Sequence, residues 1–125
     1  MTVFPTGPGL FSALNENSQP NSEFNPAVLN SVLQLYAVGL GALNVAVADG
    51  AANPSSPPAT TLGSPTVWIG FRKASVEFSG GAPGFVGLNQ LNVRIPNTPA
   101  LLGKQWLFVV SGGIVSDKLA IWINQ

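Results

Sequence analysis

The clearest alternation of apolar and polar positions lies at residues 82–96, where a turn leads into a strand-like run. Pro83-Gly84 marks the turn, because proline presets one central backbone angle and glycine accepts the positive angle beside it. Phe85, Val86 and Leu88 surround a second glycine, so the bend is expected to be pinned onto a core. From there Leu91, Val93 and Ile95 alternate with Asn92 and Arg94, a period of two with one dry and one wet face. Pro96 removes the next amide donor and ends the ladder.

The rest of the chain repeats this grammar. Residues 9–14 predict a first strand, and 15–25 a polar loop anchored by Phe24. Residues 27–30 have room for one helical turn. In 31–38, Leu33, Leu35 and Ala37 alternate with Val32, Gln34 and Tyr36, and Gly39-Leu40-Gly41 closes the strand. Residues 66–70 and 74–79 predict a hairpin around Phe71-Arg72-Lys73, with Val67, Ile69, Val76 and Phe78 inward and Trp68 and Glu77 outward.

A last hairpin, 104–111 with 114–124, turns at Gly112-Gly113, a pair suited to the primed turns that match strand twist. Counting outward from a two-residue loop puts Val110 opposite Val115, Phe108 opposite Asp117, Trp106 opposite Leu119 and Lys104 opposite Ile121. That face is the drier one, which leaves Leu107, Val109 and Trp122 on a face toward water. Asp117 beside Phe108 is a misfit that predicts a bulge or a strand end.

Between the strands, 42–65 has the composition of a long Pro/Ser/Gly-rich loop, with Asp49-Gly50, Asn53-Pro54-Ser55-Ser56-Pro57-Pro58 and Gly63-Ser64-Pro65. Leu43, Val45 and Val47 predict a short edge strand at its start. A boundary there would leave too little chain on either side for two cores, so residues 1–125 are expected to form one domain.

The 82–96 stretch resembles the Solibacter-type uncharacterised C-terminal domain of large secreted bacterial proteins, whose pattern runs roughly A-P-G-F-V-G-x-x-Q-x-N-V-x-x-P. Pro8-Gly9-Leu10-Phe11 with Asn15, Asn25-Pro26-Ala27, Tyr36-Ala37-Val38-Gly39-Leu40-Gly41, and Gly112-Gly113 with Ser116 fall in the same order, so the resemblance spans nearly the whole chain. It departs at Phe71-Arg72-Lys73, where a glycine-rich turn is usual. The resemblance implies an immunoglobulin-like, IPT/TIG-type fold in an exported protein without catalytic role. With the strand pattern, the expected class is all-β, an immunoglobulin-like antiparallel β-sandwich of about seven strands.

Composition narrows the function. Apolar residues make up 46% and charged residues 8%, against about 25% charge in ordinary soluble domains. The surface must be covered by uncharged polar residues, or be hidden in an assembly. Net charge is zero and only Arg72-Lys73 are adjacent cations, so no basic stripe for nucleic acid is visible.

Without histidine a Ser-His-Asp triad is excluded; without histidine or cysteine and with five separated acids the case for a metal site is poor, Asp49 being the one faint candidate for a ligand. Ser116 and Lys118 share a strand face but lack an oxyanion loop, and no pattern pairs two of the five acids. Ser79-Gly80-Gly81 lacks the lysine of a phosphate-binding loop, and an isopeptide bond from Lys73, Lys104 or Lys118 would need an asparagine and a buried acid beside it. No run reaches the eighteen apolar residues of a spanning helix. The start, Met1-Thr2-Val3-Phe4-Pro5, is not a signal peptide, so on the exported reading a leader is expected upstream.

The expectation is therefore a non-enzymatic extracellular or cell-surface module without cofactor or metal, a structural building block or a terminal interaction domain. It would self-assemble as a homo-oligomer, a filament subunit or part of a larger extracellular assembly. Two routes are open: burial of a sheet face carrying Trp68, Leu107, Val109 and Trp122, or strand addition with Val3, Phe4, Leu10 and Phe11 as donor. The alternative is a carbohydrate-binding module with Trp68 and Trp122 as stacking platform. A sugar platform needs exposed tryptophans on one face, whereas a protein contact needs aliphatic residues around them.

Overall fold

Alternation of the kind just described produces strands almost throughout the computed structural model, which describes residues 8–45, 47–48 and 50–125. The described strands are β1 (Gly9–Leu14), β2 (Ala27–Val28), β3 (Val32–Val38), β4 (Thr66–Ile69), β5 (Arg72–Gly81), β6 (Asn89–Arg94), β7 (Gly103–Ser111), β8 (Ile114–Val115) and β9 (Leu119–Asn124), with one 3-10 turn at Pro99–Leu101. They pair in the order β1-β3-β6-β5-β4-β7-β9-β2, with β8 on β7. All named pairs are antiparallel except β2 with β9.

The all-β class holds, as a curled half-barrel sheet. Its curl is traceable to β5. Arg72–Ala74 pair with β4 while Ser75–Gly81 pair with β6, so one strand serves both halves. A register shift between Val76 and Phe78 leaves Glu77 as an extra residue, and a bulge of this kind bends a strand and strengthens its twist. The strand count exceeds the expectation partly through β2 and β8, two residues each.

Inside the curl lie Leu33, Leu35 and Ala37 of β3, Leu91 and Val93 of β6, Val67 and Ile69 of β4, Leu107 and Val109 of β7, and Ile121 and Ile123 of β9. Each is at most 3% exposed. Burying a Leu, Ile or Val side chain contributes roughly 1.5–3 kcal/mol, so this face dominates the stability of the fold.

Leu107 and Val109 are the main correction to the sequence reading. Near the turn the pairing follows the count, with Val110 opposite Val115 and Ser111 opposite Ile114, and both glycines have positive φ (59° and 79°). Further out, Leu107 lies opposite Leu119 and Gln105 opposite Ile121, one residue out of step with the simple count. Such a slip changes which residues of the two strands share a face. Ile121 stays inward and Trp122 outward as the count had them, while β7 turns Leu107 and Val109 inward and Trp106 and Phe108 outward.

Ser116 fixes the slip. Its amide donates to Val109 O at 2.8 Å, and its buried hydroxyl accepts from Val109 N and donates to Asp117 O, each at 2.8 Å. Asp117, the misfit of the pattern, turns toward β1 and accepts from Leu10 N at 3.0 Å.

Other expectations change locally. Phe24 is 93% exposed and anchors nothing. Residues 27–28 form β2 in place of a helical turn, because their backbone groups find β9. The β4–β5 turn is Gly70-Phe71, with Gly70 at φ 59°, so Arg72 and Lys73 begin a strand. No strand forms at Val45 or Val47; Leu43 makes a lone bridge to Thr61.

The 42–65 segment is nonetheless built into the sheet. Gly81 N donates to Ala59 O at 2.9 Å and Thr61 N to Ser79 O at 2.9 Å, so residues 59–61 cover the side of β5 that β4 has left. Gly80 permits this, since a Cβ there would collide with the Ala59 carbonyl. Asn53, buried against Gly81, donates from Nδ2 to Leu88 O at 2.9 Å and Ala82 O at 3.2 Å. That amide, more than Phe85, pins the 82–88 bend.

Candidate contact surfaces

With Leu107 and Val109 turned inward, the alternate residues of β7 face out: Lys104, Trp106 and Phe108. Register brings partners to them. Trp68 of β4 sits opposite Phe108, and Lys73 of β5 opposite Trp68. On the other side, Trp122 of β9 sits opposite Lys104. Trp68 and Phe108 stack with ring centroids 6.5 Å apart and planes 13° from parallel.

The lysines lie over the indoles. Lys104 Nζ is 4.8 Å from the Trp106 ring centroid and 5.9 Å from that of Trp122, and Lys118 Nζ is 5.7 Å from Trp106. An ammonium group in this position is attracted by the negative face of the ring. Phe71, at the tip of the β4–β5 turn, borders a shallow depression of about 340 Å³ beside Trp106 and Phe108.

A second apolar patch lies on the outside of the other half. A register shift in β1 leaves Phe11 unpaired and 60% exposed. It lines a depression of about 300 Å³ with Tyr36, Phe85, Leu14, Leu88 and Ser12, none of them charged. Phe85 meets Tyr36 edge to face at 6.4 Å.

The residues singled out from sequence are thus divided. Trp68 and Trp122 share the outer face of β4, β7 and β9, half-buried. Leu107 and Val109 are in the core. Leu10 is also in the core, paired to Ala37, so it belongs to its own sheet, while Phe11 joins the second patch. Val3 and Phe4 lie outside the described residues. Trp106, Phe108 and the lysines were missed; their spacing by two along β7 was visible, but the simple count assigned that face to the core.

Both ends of the strand order are blunted. On β1, Leu10 N is held by Asp117 and Ala13 O accepts from Asn21 N at 3.0 Å. On β9, beside the two-residue β2, the Asn21 side chain accepts from Trp122 N at 2.8 Å and donates to Trp122 O at 2.9 Å. Asn15, itself buried, accepts from Asn21 Nδ2 at 2.9 Å and so orients that amide. Bulges, short strands and capped backbone groups are how sheets resist edge pairing, which argues against strand addition at these sites.

The carboxylates are dispersed. Glu77 accepts from Arg94 Nε at 2.8 Å, and this bond raises the Arg94 pKa further above its ordinary value. Glu16 accepts from Val32 N at 2.8 Å. Among the described residues no three of His, Cys, Asp and Glu gather where a metal ion could be held. The Ser116 hydroxyl is spent on backbone groups and Lys118 lies over Trp106, so they form no nucleophile and base. No helix among the described residues is long and apolar enough to cross a membrane. Neither a known family model nor a curated protein matches the sequence.

Proposed function

We propose that this chain is a non-catalytic structural module of an extracellular or cell-surface assembly, and that it associates with copies of itself through the Phe11, Tyr36 and Phe85 patch. The observation that carries this reading is the uncharged lining of that patch, with Phe11 60% and Phe85 55% exposed in a chain with so few charges. Contiguous exposed apolar surface of this kind is normally covered by a partner.

The tryptophan face suits self-contact less well. A two-fold contact there would set Lys104 and Lys118 against their own copies, and like charges at about 4 Å repel by about 1 kcal/mol in water and about 4 kcal/mol near a protein surface. The export assignment rests on the resemblance of 82–96. On the same basis the halves β1-β3-β6-β5 and β4-β7-β9-β2 are read as the two layers of an immunoglobulin-like sandwich.

Light scattering over a range of protein concentrations tests the proposal. The parent chain should rise in mass with concentration, to a closed dimer if the patch meets its own copy across a two-fold axis and to a homopolymer or filament if it meets a different surface of the next copy. A Phe11→Ser/Phe85→Ser variant should stay monomeric with an unchanged fold. A parent that remains monomeric at millimolar concentration removes the proposal.

A further inference from the structure

Every tryptophan and every lysine of the chain is on one sheet face. Trp68, Trp106 and Trp122 are scattered along the chain, as are Lys73, Lys104 and Lys118, yet the register of β5, β4, β7 and β9 assembles five of them, and Lys118, just before β9, reaches the same face over Trp106. The described carboxylates lie elsewhere: Glu77 holds Arg94, Glu16 holds Val32 N, Asp117 holds Leu10 N, and Glu23 is in the loop after β1. Among the described residues the one ion pair is Arg94 with Glu77. Among the described residues, a neutral chain has therefore gathered three ammonium groups with no ion-pair partner around its aromatic rings.

We propose that this face binds an anionic polysaccharide, with the apolar faces of its sugar rings against the indoles and its carboxylates between the ammonium groups of Lys104, Lys118 and Lys73. Each element of the face has a counterpart in such a ligand. Indole rings offer broad flat apolar area at little entropic cost, and sugar rings carry a C–H face that fits it. Lys104 and Lys118 rest on π faces, from which they can swing to a carboxylate and form a stronger, charge-assisted bond, while Lys73 sits opposite Trp68 in the register.

The face is open and shallow, so it suits an extended chain better than an enclosed small molecule. Nucleic acid is a poorer fit, because arginine is the usual stacking cation for bases. Arg94 is already held by Glu77, and Arg72 lies opposite inward-facing Ile69.

All three indoles sit on this face, so the chain's intrinsic fluorescence reports its occupancy. Titration of the full chain with polygalacturonate should give a saturable change, weakened at least about tenfold between about 50 and about 500 mM salt because exposed charges are screened. Lys104→Gln keeps all three fluorophores and should weaken binding by about tenfold, the effect of a single lost charge-assisted contact. Trp106→Ala should lose retention in an affinity gel containing the polymer, a readout that does not depend on fluorescence. Both variants should melt as cooperatively as the parent. Equal binding of uncharged dextran, tighter binding of oligothymidylate, an unaffected Lys104→Gln variant, or no response to any polymer would each overturn the proposal.

Discussion

Replacing Asn53 with alanine measures how far the 42–65 segment belongs to the cooperative fold. Asn53 is 6% exposed, and its amide donates to Ala82 O at 3.2 Å and Leu88 O at 2.9 Å. The substitution leaves the backbone bonds in place, since Asn53 N still donates to Phe85 O and Asn53 O still accepts from Gly84 N. Ala82 O and Leu88 O also keep backbone donors, Phe85 N and Ala82 N, so neither carbonyl is orphaned.

The loss is then two net hydrogen bonds at about 1 kcal/mol each and about 1 kcal/mol for the small cavity left against Gly81. The sum, about 3 kcal/mol, should lower Tm by about 10 °C in a domain of this size. Thermal melts followed by circular dichroism give the shift, and hydrogen exchange at Ala82, Gly84 and Phe85 shows whether the bend loosens first.

N53D sharpens the test. A buried carboxylate facing two carbonyls has its folded-state pKa raised above the unfolded value of about 3.9. Its penalty is therefore absent below about pH 4 and grows as pH rises toward the folded-state pKa. N53D should match N53A in acid and fall below it at neutral pH. A loss under about 0.5 kcal/mol for N53A would place the effect within ordinary surface variation. That result, or an N53D melt with the parent's pH dependence, would refute the argument.

Three further substitutions probe the register and the edges. Leu107→Ala should cost about 2–5 kcal/mol in a urea melt, as a core position does; a change below about 0.5 kcal/mol would put Leu107 on the surface after all. Gly80→Ala drives a Cβ into the Ala59 carbonyl and should displace residues 59–61 from β5, read as faster exchange at Gly81 and Thr61; unchanged exchange there would count against the packing. Ser116→Ala leaves the buried Val109 amide without its acceptor and should cost about 1–3 kcal/mol, with partial recovery in Ser116→Thr. A neutral Ser116→Ala result would mean that the slip between β7 and β9 is held by something else.

Much of the architecture was legible in the chain because strand periodicity is a local property. Leu33, Leu35 and Ala37, or Leu91, Val93 and Ile95, announce their buried face within a few residues, and Gly112-Gly113 announces its turn. The all-β class follows from these runs alone. Which face of β7 is buried is a different kind of fact. It depends on one extra residue near Ser116, and the hydroxyl that secures it bonds only once Val109 is beside it.

The candidate site was illegible for the same reason. Tryptophans and lysines scattered over residues 68–122 become one surface only when four strands settle into register, and Asn53 becomes an anchor only when 82–88 folds against it. Local pattern determined where strands lie and how they alternate; long-range pairing decided which side of each meets water.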